Sequence, residues 1–579
     1  MKLRILALDY DGTIAVDGRL DPEVRSAIGD ARASGLAVVL VTGRILDDLR
    51  CLIGNLRIFD AVVAENGAVL SFPLSGRSSL LAPPVPEAYV RALRDRGVVV
   101  HVGSCLVDLD ANDAHVALDI LQRMELPLVC HFNRGRLMVL PQAVSKATGL
   151  RAALQIMRLS THNAAAVGDG ENDHELLRVC EVGAAVAWGS PALRAAADMI
   201  VDGDGPAAVA AYVRASSAQN RIVLPQKARR NLLLGRDERG GVVSLAVRGR
   251  NVLVAGDPRS GKSWVAGLLC EQLLAEHYSL CVIDPEGDYQ ELEALPGVVT
   301  FGGDDPLPSV HQLRRTLRHA DVSVILDLAR LDAAAKRAYV DTALTTVTQL
   351  RRETGLPHRI VVDEAHYFLG DERQVRVLDP ELAGYTLITY RVSGLHDDVL
   401  ARTECIIVTR ETDPTEARLL HARFDGREDV AHWLRVLAGL GMDEAVLLPH
   451  GEEAGGQLRR FHIAPRLTRH VRHRHKYLDL CVGASVAFQF ASSSRGRHQA
   501  VRSLQEMIDV LAASPNEDLA GYARRGDLSK WVEHVIADAT LADEVRDLEE
   551  GFRLGTIPDF GGAVAHAILQ RYQIDEEPT

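Results

Sequence analysis

An apolar run that ends in two aspartates governs the first third of this 579-residue chain. Leu3, Ile5, Leu6 and Leu8 read as a short buried strand, and Asp9–Tyr10–Asp11–Gly12–Thr13 follows directly. A polar turn and the helix-like run Pro22–Ser34 come next. A buried strand that releases two carboxylates at its C-terminal end places them in the crevice where open α/β sheets bind ligands. Two aspartates with only Tyr10 between them repel each other unless a cation sits nearby. One carboxylate can then attack phosphorus while the other moves a proton.

The same strand-to-loop step recurs downstream. Ala37–Val41 ends in Thr42–Gly43–Arg44, which presents a hydroxyl and backbone N–H groups to an anion. Ala61–Val63 and Ala68–Leu70 bracket Glu65–Asn66–Gly67, the pattern of a hairpin with a turn glycine. Short strand-like runs alternate with helical ones from about Phe72 to Leu140, the pattern of an inserted α+β module. Val144–Ser145–Lys146 opens a helix with a lysine able to neutralise a nucleophile and phosphoryl oxygens. Ala164–Val167 then leads into Gly168–Asp169–Gly170–Glu171–Asn172–Asp173, a loop of acidic metal ligands. The order of these segments, each placed after an apolar run, carries the reading.

Together they resemble the haloacid-dehalogenase superfamily, specifically Cof-like phosphatases with an α/β cap between the second and third motifs. The resemblance spans residues 1–215 and includes Ala187–Trp188–Gly189–Ser190 and Ala195–Asp198. It implies Asp9 as a nucleophile forming an aspartyl-phosphate and Asp11 as general acid/base. Thr42 would bind the phosphoryl group and Lys146 would steady its charge. Mg²⁺ would be held by Asp9, the Asp11 carbonyl and Asp169, with Asn172 and Asp173 in support. The cap offers Asp108, Asp110, His115, His131, Arg134 and Arg136 as polar candidates for substrate choice.

A second phosphate site follows. Val252–Ala255 is an apolar strand feeding Gly256–Asp257–Pro258–Arg259–Ser260–Gly261–Lys262–Ser263 and the helical Trp264–Glu276. In such a loop backbone N–H groups cradle the phosphates of ATP, Lys262 reaches the terminal ones and the Ser263 hydroxyl ligates Mg²⁺. Ile360–Val362 leads into Asp363–Glu364–Ala365–His366, where Asp363 suits the Mg²⁺ second shell and Glu364 suits polarising the attacking water. With Asp284–Pro285–Glu286–Gly287–Asp288–Tyr289, these segments resemble the HerA/FtsK class of P-loop ATPases over residues 222–460. That resemblance implies a ring-forming homo-oligomeric motor that moves DNA or protein. The chain departs from it at Thr389–Tyr390–Arg391, where the class carries a Thr-Gln pair, and in lacking a recognisable β-barrel module ahead of the ATPase. Arg391, Arg402 and Arg410 are candidate trans-acting arginines, none of them singled out by spacing.

The tail begins with Arg466–Lys476, which holds five Arg/Lys and three His and reads as a basic linker or an anionic-ligand contact. Apolar residues at helical spacing from Val501 to Tyr572 suggest a small all-α domain. Eight scattered cysteines without a CxxC pair suggest reduced thiols and a cytoplasmic protein. No apolar run is long enough to span a bilayer, the N-terminus enters a strand without a leader, and no membrane partner is expected. A net charge of −13 and 5% aromatic residues argue against whole-surface nucleic-acid binding without excluding a local groove.

The expected architecture is therefore α/β. A Rossmann-like phosphatase core (about 1–71 and 141–215) carries a cap (72–140); a P-loop α/β domain (222–465) and a basic linker with a helical domain (466–579) follow. The expected function is a bifunctional hydrolase: an Mg²⁺-dependent phosphomonoesterase acting on a phosphorylated small molecule, fused to an ATPase. Two alternatives stay open, a nucleic-acid translocase that trims phosphate ends and a phosphatase regulated by nucleotide.

Overall fold

The computed structural model describes residues 2–133, 135–219, 229–247, 250–303, 305–372, 378–379, 382–423, 429–448, 458–468, 482, 486–492, 497–536 and 539–572. The chain forms two compact units, residues 1–285 with 289–469, and 286–288 with 470–579.

The first unit holds two large sheets. Near-continuous apolar runs such as Ile5–Asp9 (ILALD), buried at every position, have no polar face to offer water and suit parallel strands covered on both sides. Ile5–Asp9 lies between Ala164–Gly168 and Ala37–Val41, parallel to both. Val182–Val186 and Met199–Val201 extend the sheet on one side and Ala61–Ala64 on the other. Alternation along the central strand splits the core: Leu6 and Leu8 pack on one face, Ile5 and Ala7 on the other.

Val69–Phe72 and Arg77–Leu80 add two antiparallel strands to this sheet, so Arg77–Leu80 belongs to the core sheet although it falls in the range expected for the cap. The cap is a four-stranded antiparallel sheet in the order Leu128–Asn133, Arg136–Pro141, Val107–Asp110, Val100–Val102. Two helices, Glu87–Asp95 and Ala114–Arg123, cover one face and bury Tyr89, Leu93, Leu109, Ile120 and Val139. By strand alternation His131, Met138 and Asp108, which pair across the sheet, share the opposite face. The Ala/Ser/Gly-rich stretch after the core folds as the helix Gly205–Gln219, whose Val209, Ala210 and Val213 join the core cluster of the helix Pro22–Ala33.

The second sheet has eleven strands. Its parallel centre runs Cys405–Val408, Val252–Ala255, Tyr385–Thr389, Arg359–Val362, Leu280–Asp284, Ser323–Asp327, Val298–Gly302. Glu444–Leu448, Arg459–Ile463, Asn231–Arg236 and Val242–Ala246 continue it antiparallel. The segment ahead of the P-loop is thus a hairpin of this sheet.

Arg466, expected to open a solvated basic linker, instead has its side chain fully buried in the P-loop domain, paired with Glu271 at 2.8 Å and Glu291 at 2.9 Å. The rest of that basic run, from Arg469 to Lys476, lies outside the described residues.

The second unit is helical as expected, with Leu504–Ala513, Asn516–Arg525, Asp527–Trp531, Ala539–Arg553 and Phe560–Tyr572 around Phe488, Trp531 and Phe560. It also contains a two-stranded ribbon, Phe488–Ser492 with Arg497–Val501, which a purely helical reading omits. Among the described residues no helix is long and apolar enough to cross a membrane. The described cysteines are free; Cys51 is exposed and Cys130 half-buried, while Cys105, Cys180, Cys270, Cys281 and Cys405 are buried.

Candidate functional sites

The parallel register brings the C-terminal ends of Ile5–Asp9 and Ala164–Gly168 side by side, and Asp9 and Asp169 emerge there together. Asp9, Asp169 and Asp173 each offer an oxygen within 4.8 Å of the others, all three buried. Asp173 folds back so that its Oδ2 accepts the Asp169 and Gly170 amides, each at 3.0 Å. A side chain at Gly168 would stand 2.6 Å from that carboxyl, which is why glycine ends the strand.

Lys146 enters from the first turn of the helix Lys146–Met157, fixed by a capping box between Ser145 and Thr148. Gly67 lets the Glu65–Gly67 turn press against this helix start: at φ 107°, a Cβ would lie 2.0 Å from the Ser145 carbonyl oxygen. The Lys146 ammonium donates to Asp9 and Asp173, each at 2.6 Å. Burial alone would lower the lysine's pKa, but Asp173 and Asp9 outweigh it and the net shift is upward. Burial, with Asp173 adding to it, pushes Asp9 up to about 7 against the pull of Lys146. Three clustered carboxylates, two of them paired with a single ammonium, leave a surplus of negative charge among hard oxygen donors that fits a divalent cation such as Mg²⁺.

The Thr13 hydroxyl, which no sequence spacing singles out, lies 3.1 Å from Asp9 Oδ2 and 3.3 Å from Asp169 Oδ1 and can donate its one proton to either. Asp11 does not join the acid cluster. Its carboxylate is held at both oxygens by Arg44, at 2.7 Å each, and the pairing raises the Arg44 pKa. Thr42 is buried, and its Oγ1 accepts the Arg44 amide at 3.1 Å. Asn172 donates from its side-chain amide to Asn66 Oδ1 at 3.4 Å.

Of the cap candidates, Asp108 and Arg136 form a close ion pair, and His131 shares a face with Met138. Met138 Sδ stands 3.2 Å from where a Cβ on Gly43 would be, so this cap face overhangs the Thr42–Arg44 turn. Asp110 caps a turn by accepting the Asn112 amide, and exposed His115 contacts the Asn112 carbonyl. Arg134 lies outside the described residues. Glu65 reaches the cap instead, accepting the Ser104 and Cys105 amides at 3.0 and 2.7 Å.

In the second sheet Tyr385–Thr389 lies between the P-loop strand and the strand that delivers Asp363 and Glu364, both buried. The loop Gly256–Ser263 turns through left-handed Arg259 (φ 66°) and Gly261 (φ 100°), after Pro258, into the helix Lys262–Ala275. Lys262 Nζ and Ser260 Oγ both donate to the Asp257 carbonyl at 2.7 Å. The Asp257 carboxylate accepts from Thr412, and Ser260 meets Thr409 at 2.5 Å, so the loop after Cys405–Val408 braces the phosphate loop. Ser263 takes the second position of the helix. The Glu364 amide donates to Asp363 Oδ1 at 2.8 Å.

The two sheets meet back to back. Glu181, just before Val182–Val186, accepts from His162 (2.8 Å), Tyr278 (2.9 Å) and Arg230 (3.0 Å) on a single oxygen. His162 Nε2 also lies 2.8 Å from the Glu276 carbonyl, and its ring stacks on Tyr278 at 3.7 Å. These residues precede strands of both sheets, so each candidate site opens at the end of its sheet remote from the joint. Strands of four or five residues separate joint from site, roughly 13–17 Å on each side.

An acid–lysine site at the carboxyl end of a capped Rossmann-like sheet defines a phosphoryl-transferring hydrolase, and the sheet behind it defines a P-loop nucleotide-binding domain. Residues 6–87 and 101–213 match the haloacid dehalogenase-like hydrolases, and residues 249–377 match the helicase HerA central domain. A phosphoglycolate phosphatase of Natronomonas pharaonis is 32% identical over 212 residues, covering 34% of this chain and 90% of that protein. One from Halorubrum lacusprofundi is 32% identical over 224 residues (36% and 96%), and one from Archaeoglobus fulgidus is 28% identical over 217 (35% and 94%). Through its N-terminal domain the chain belongs to the haloacid dehalogenase-like hydrolases.

Proposed function

We propose that the chain is a bifunctional hydrolase whose N-terminal domain cleaves a small phosphomonoester and whose central domain binds and hydrolyses ATP. The observation that carries the first half is the salt-bridged cluster of Lys146 with Asp9 and Asp173, beside Asp169. Asp9 attacks phosphorus, the bond to the leaving oxygen breaks, and Asp11, released from Arg44 and carrying a proton taken up from solvent, gives that proton to the leaving oxygen. Water then attacks the aspartyl-phosphate, Asp11 takes the water's proton, and the bond to Asp9 breaks. Thr42 and Lys146 bind the phosphoryl oxygens. Asp9, the Asp11 carbonyl and Asp169 would hold Mg²⁺, supported by Asp173 and Asn172; the ion offsets the charge that otherwise repels an anionic ester.

The curated relatives make 2-phosphoglycolate the first substrate to try. Turnover of p-nitrophenyl phosphate and 2-phosphoglycolate with Mg²⁺ should disappear in Asp9→Asn; equal activity in variant and wild type rejects the assignment. In the central domain Gly256–Ser263 would hold the ATP phosphates and, through Ser263, Mg²⁺, with Asp363 behind it and Glu364 orienting water. ATP turnover that survives Lys262→Ala rejects that half.

The buried joint between the two sheets favours a second reading, in which nucleotide regulates the phosphatase. Adding a non-hydrolysable ATP analogue to the phosphatase assay tests it, and an unchanged rate counts against it. Translocation of nucleic acid in a homo-oligomeric ring has its support in the likeness to the HerA domain, and DNA-stimulated ATP turnover with steep salt dependence is its test.

A further inference from the structure

His366 follows the Asp363–Glu364 pair and is buried, its side chain 5% exposed. Its Nδ1 lies 3.0 Å from the Thr389 hydroxyl, at the end of the strand next to the P-loop strand. The Thr389 oxygen already accepts the Arg391 amide at 2.9 Å. A threonine hydroxyl has one proton to give. Among the described residues His366 Nδ1 is the acceptor placed to take it, since Glu364 stands 3.6 Å from Nδ1 and offers the ring no closer bond. We assign the ring proton to Nε2, the tautomer that gives the Thr389 proton its acceptor. That nitrogen is buried and has no hydrogen-bond partner among the described residues.

A buried N–H without an acceptor is expensive and marks a place where an acceptor is meant to arrive. The surroundings say which kind. Lys262 and Arg391 both act on His366, and burial, Arg391 and Lys262 together push its pKa down to about 4, so the ring is neutral in a positive field. Tyr390 stands edge-on to the ring at 4.5 Å. A neutral donor beside two cations, one of them the P-loop lysine, suits an anionic oxygen.

We propose that His366 Nε2–H binds the terminal phosphate of ATP. The inference rests on reading residues 256–263 as the nucleotide loop. ATP supplies the acceptor that ADP lacks, so His366 separates the two nucleotides, and the Thr389 hydroxyl holds the tautomer that makes this work.

Isothermal titration of ATPγS and of ADP with Mg²⁺, on the full chain, tests it. The wild type should prefer ATPγS about tenfold. His366→Gln keeps an amide donor close to the Nε2 position and should retain most of that preference. His366→Asn places its donor near Nδ1 and should lose it, with ADP affinity changed less than twofold. Thr389→Val should lower the preference without abolishing binding. A wild type without preference, or an Asn variant with the wild-type ratio, overturns the proposal while leaving nucleotide binding intact. A wild type that binds neither nucleotide refutes the P-loop reading itself, a separate result.

Discussion

The Tyr278 hydroxyl donates to Glu181 at 2.9 Å, from the stretch before one sheet's strand Leu280–Asp284 to the stretch before the other's Val182–Val186. Glu181 is fully buried, so its carboxylate depends on donors from both domains. Tyr278→Phe keeps the stack on His162 but leaves a buried carboxylate one hydrogen bond short. The expected cost is about 1–3 kcal/mol, read as a lower urea midpoint. The change is remote from both sites, so KM for p-nitrophenyl phosphate should not move. An unchanged midpoint would show that the joint contributes nothing to folding.

The joint also sets a pH dependence. His358 Nδ1 accepts the Ser279 amide at 2.8 Å, which a protonated ring cannot do. Burial lowers its pKa well below 6.5, with His162 and Arg351 adding to the effect. An unfolded histidine takes up a proton near pH 6.5, so below that pH the unfolded chain binds a proton the folded one does not. Stability is then complete above about pH 6.5 and falls as the medium is acidified, by ~1.4 kcal/mol per pH unit for this group. Burial lowers the His162 pKa as well, although both its ring nitrogens face acceptors and a neutral ring satisfies only one. Melting temperatures at pH 7.5, 6.5 and 5.5 should decline more steeply in wild type than in His358→Asn. Parallel curves would remove His358 as the cause.

At the phosphatase site, charge balance predicts a response to metal. Asp9 and Asp173 share one ammonium while Asp169 lies beside them, and a bound divalent ion relieves the excess. Mg²⁺ should raise the melting temperature, by about 2.7 kcal/mol of stabilisation at a hundredfold excess over Kd, and chelation should reverse it. Asp169→Asn should shrink that shift. If Asp169→Asn responds to Mg²⁺ as the wild type does, the ion binds elsewhere.

Much of this arrangement was legible in the sequence because strand-end chemistry is local. Apolar runs fix buried parallel strands, and the residue after each run necessarily emerges at the carboxyl end, so Asp9, Asp169 and Asp363 could be placed from spacing alone. What depended on non-local partners was not legible. Asp11 turns to Arg44, a pairing that only the neighbouring strand's register creates. The sharing of Lys146 between Asp9 and Asp173 needs three segments brought together. His366 and Thr389 stand 23 residues apart and meet because their strands are adjacent. The joint at Glu181 left no periodic signature, since its members are single polar residues between strands.

Arg466 shows the same limit most sharply, and its prediction follows from what surrounds it. In sequence it heads a basic run. In the fold its guanidinium is wholly buried against the P-loop helix, bonded to Glu271, Glu291 and Thr468 and lying 5.7 Å from the centre of the Trp264 ring. Glu271 also takes the Leu467 amide at 2.6 Å, and these contacts, outweighing burial, hold its pKa low. Removing the cation strands two buried carboxylates. Arg466→Ala should therefore cost about 3–5 kcal/mol. Arg466→Lys should recover only part of it, because an ammonium cannot fork between Glu271, Glu291 and Thr468. Urea unfolding of the three proteins measures this directly. An alanine variant as stable as wild type would mean that the junction after Ile463 is held by something other than this ion pair.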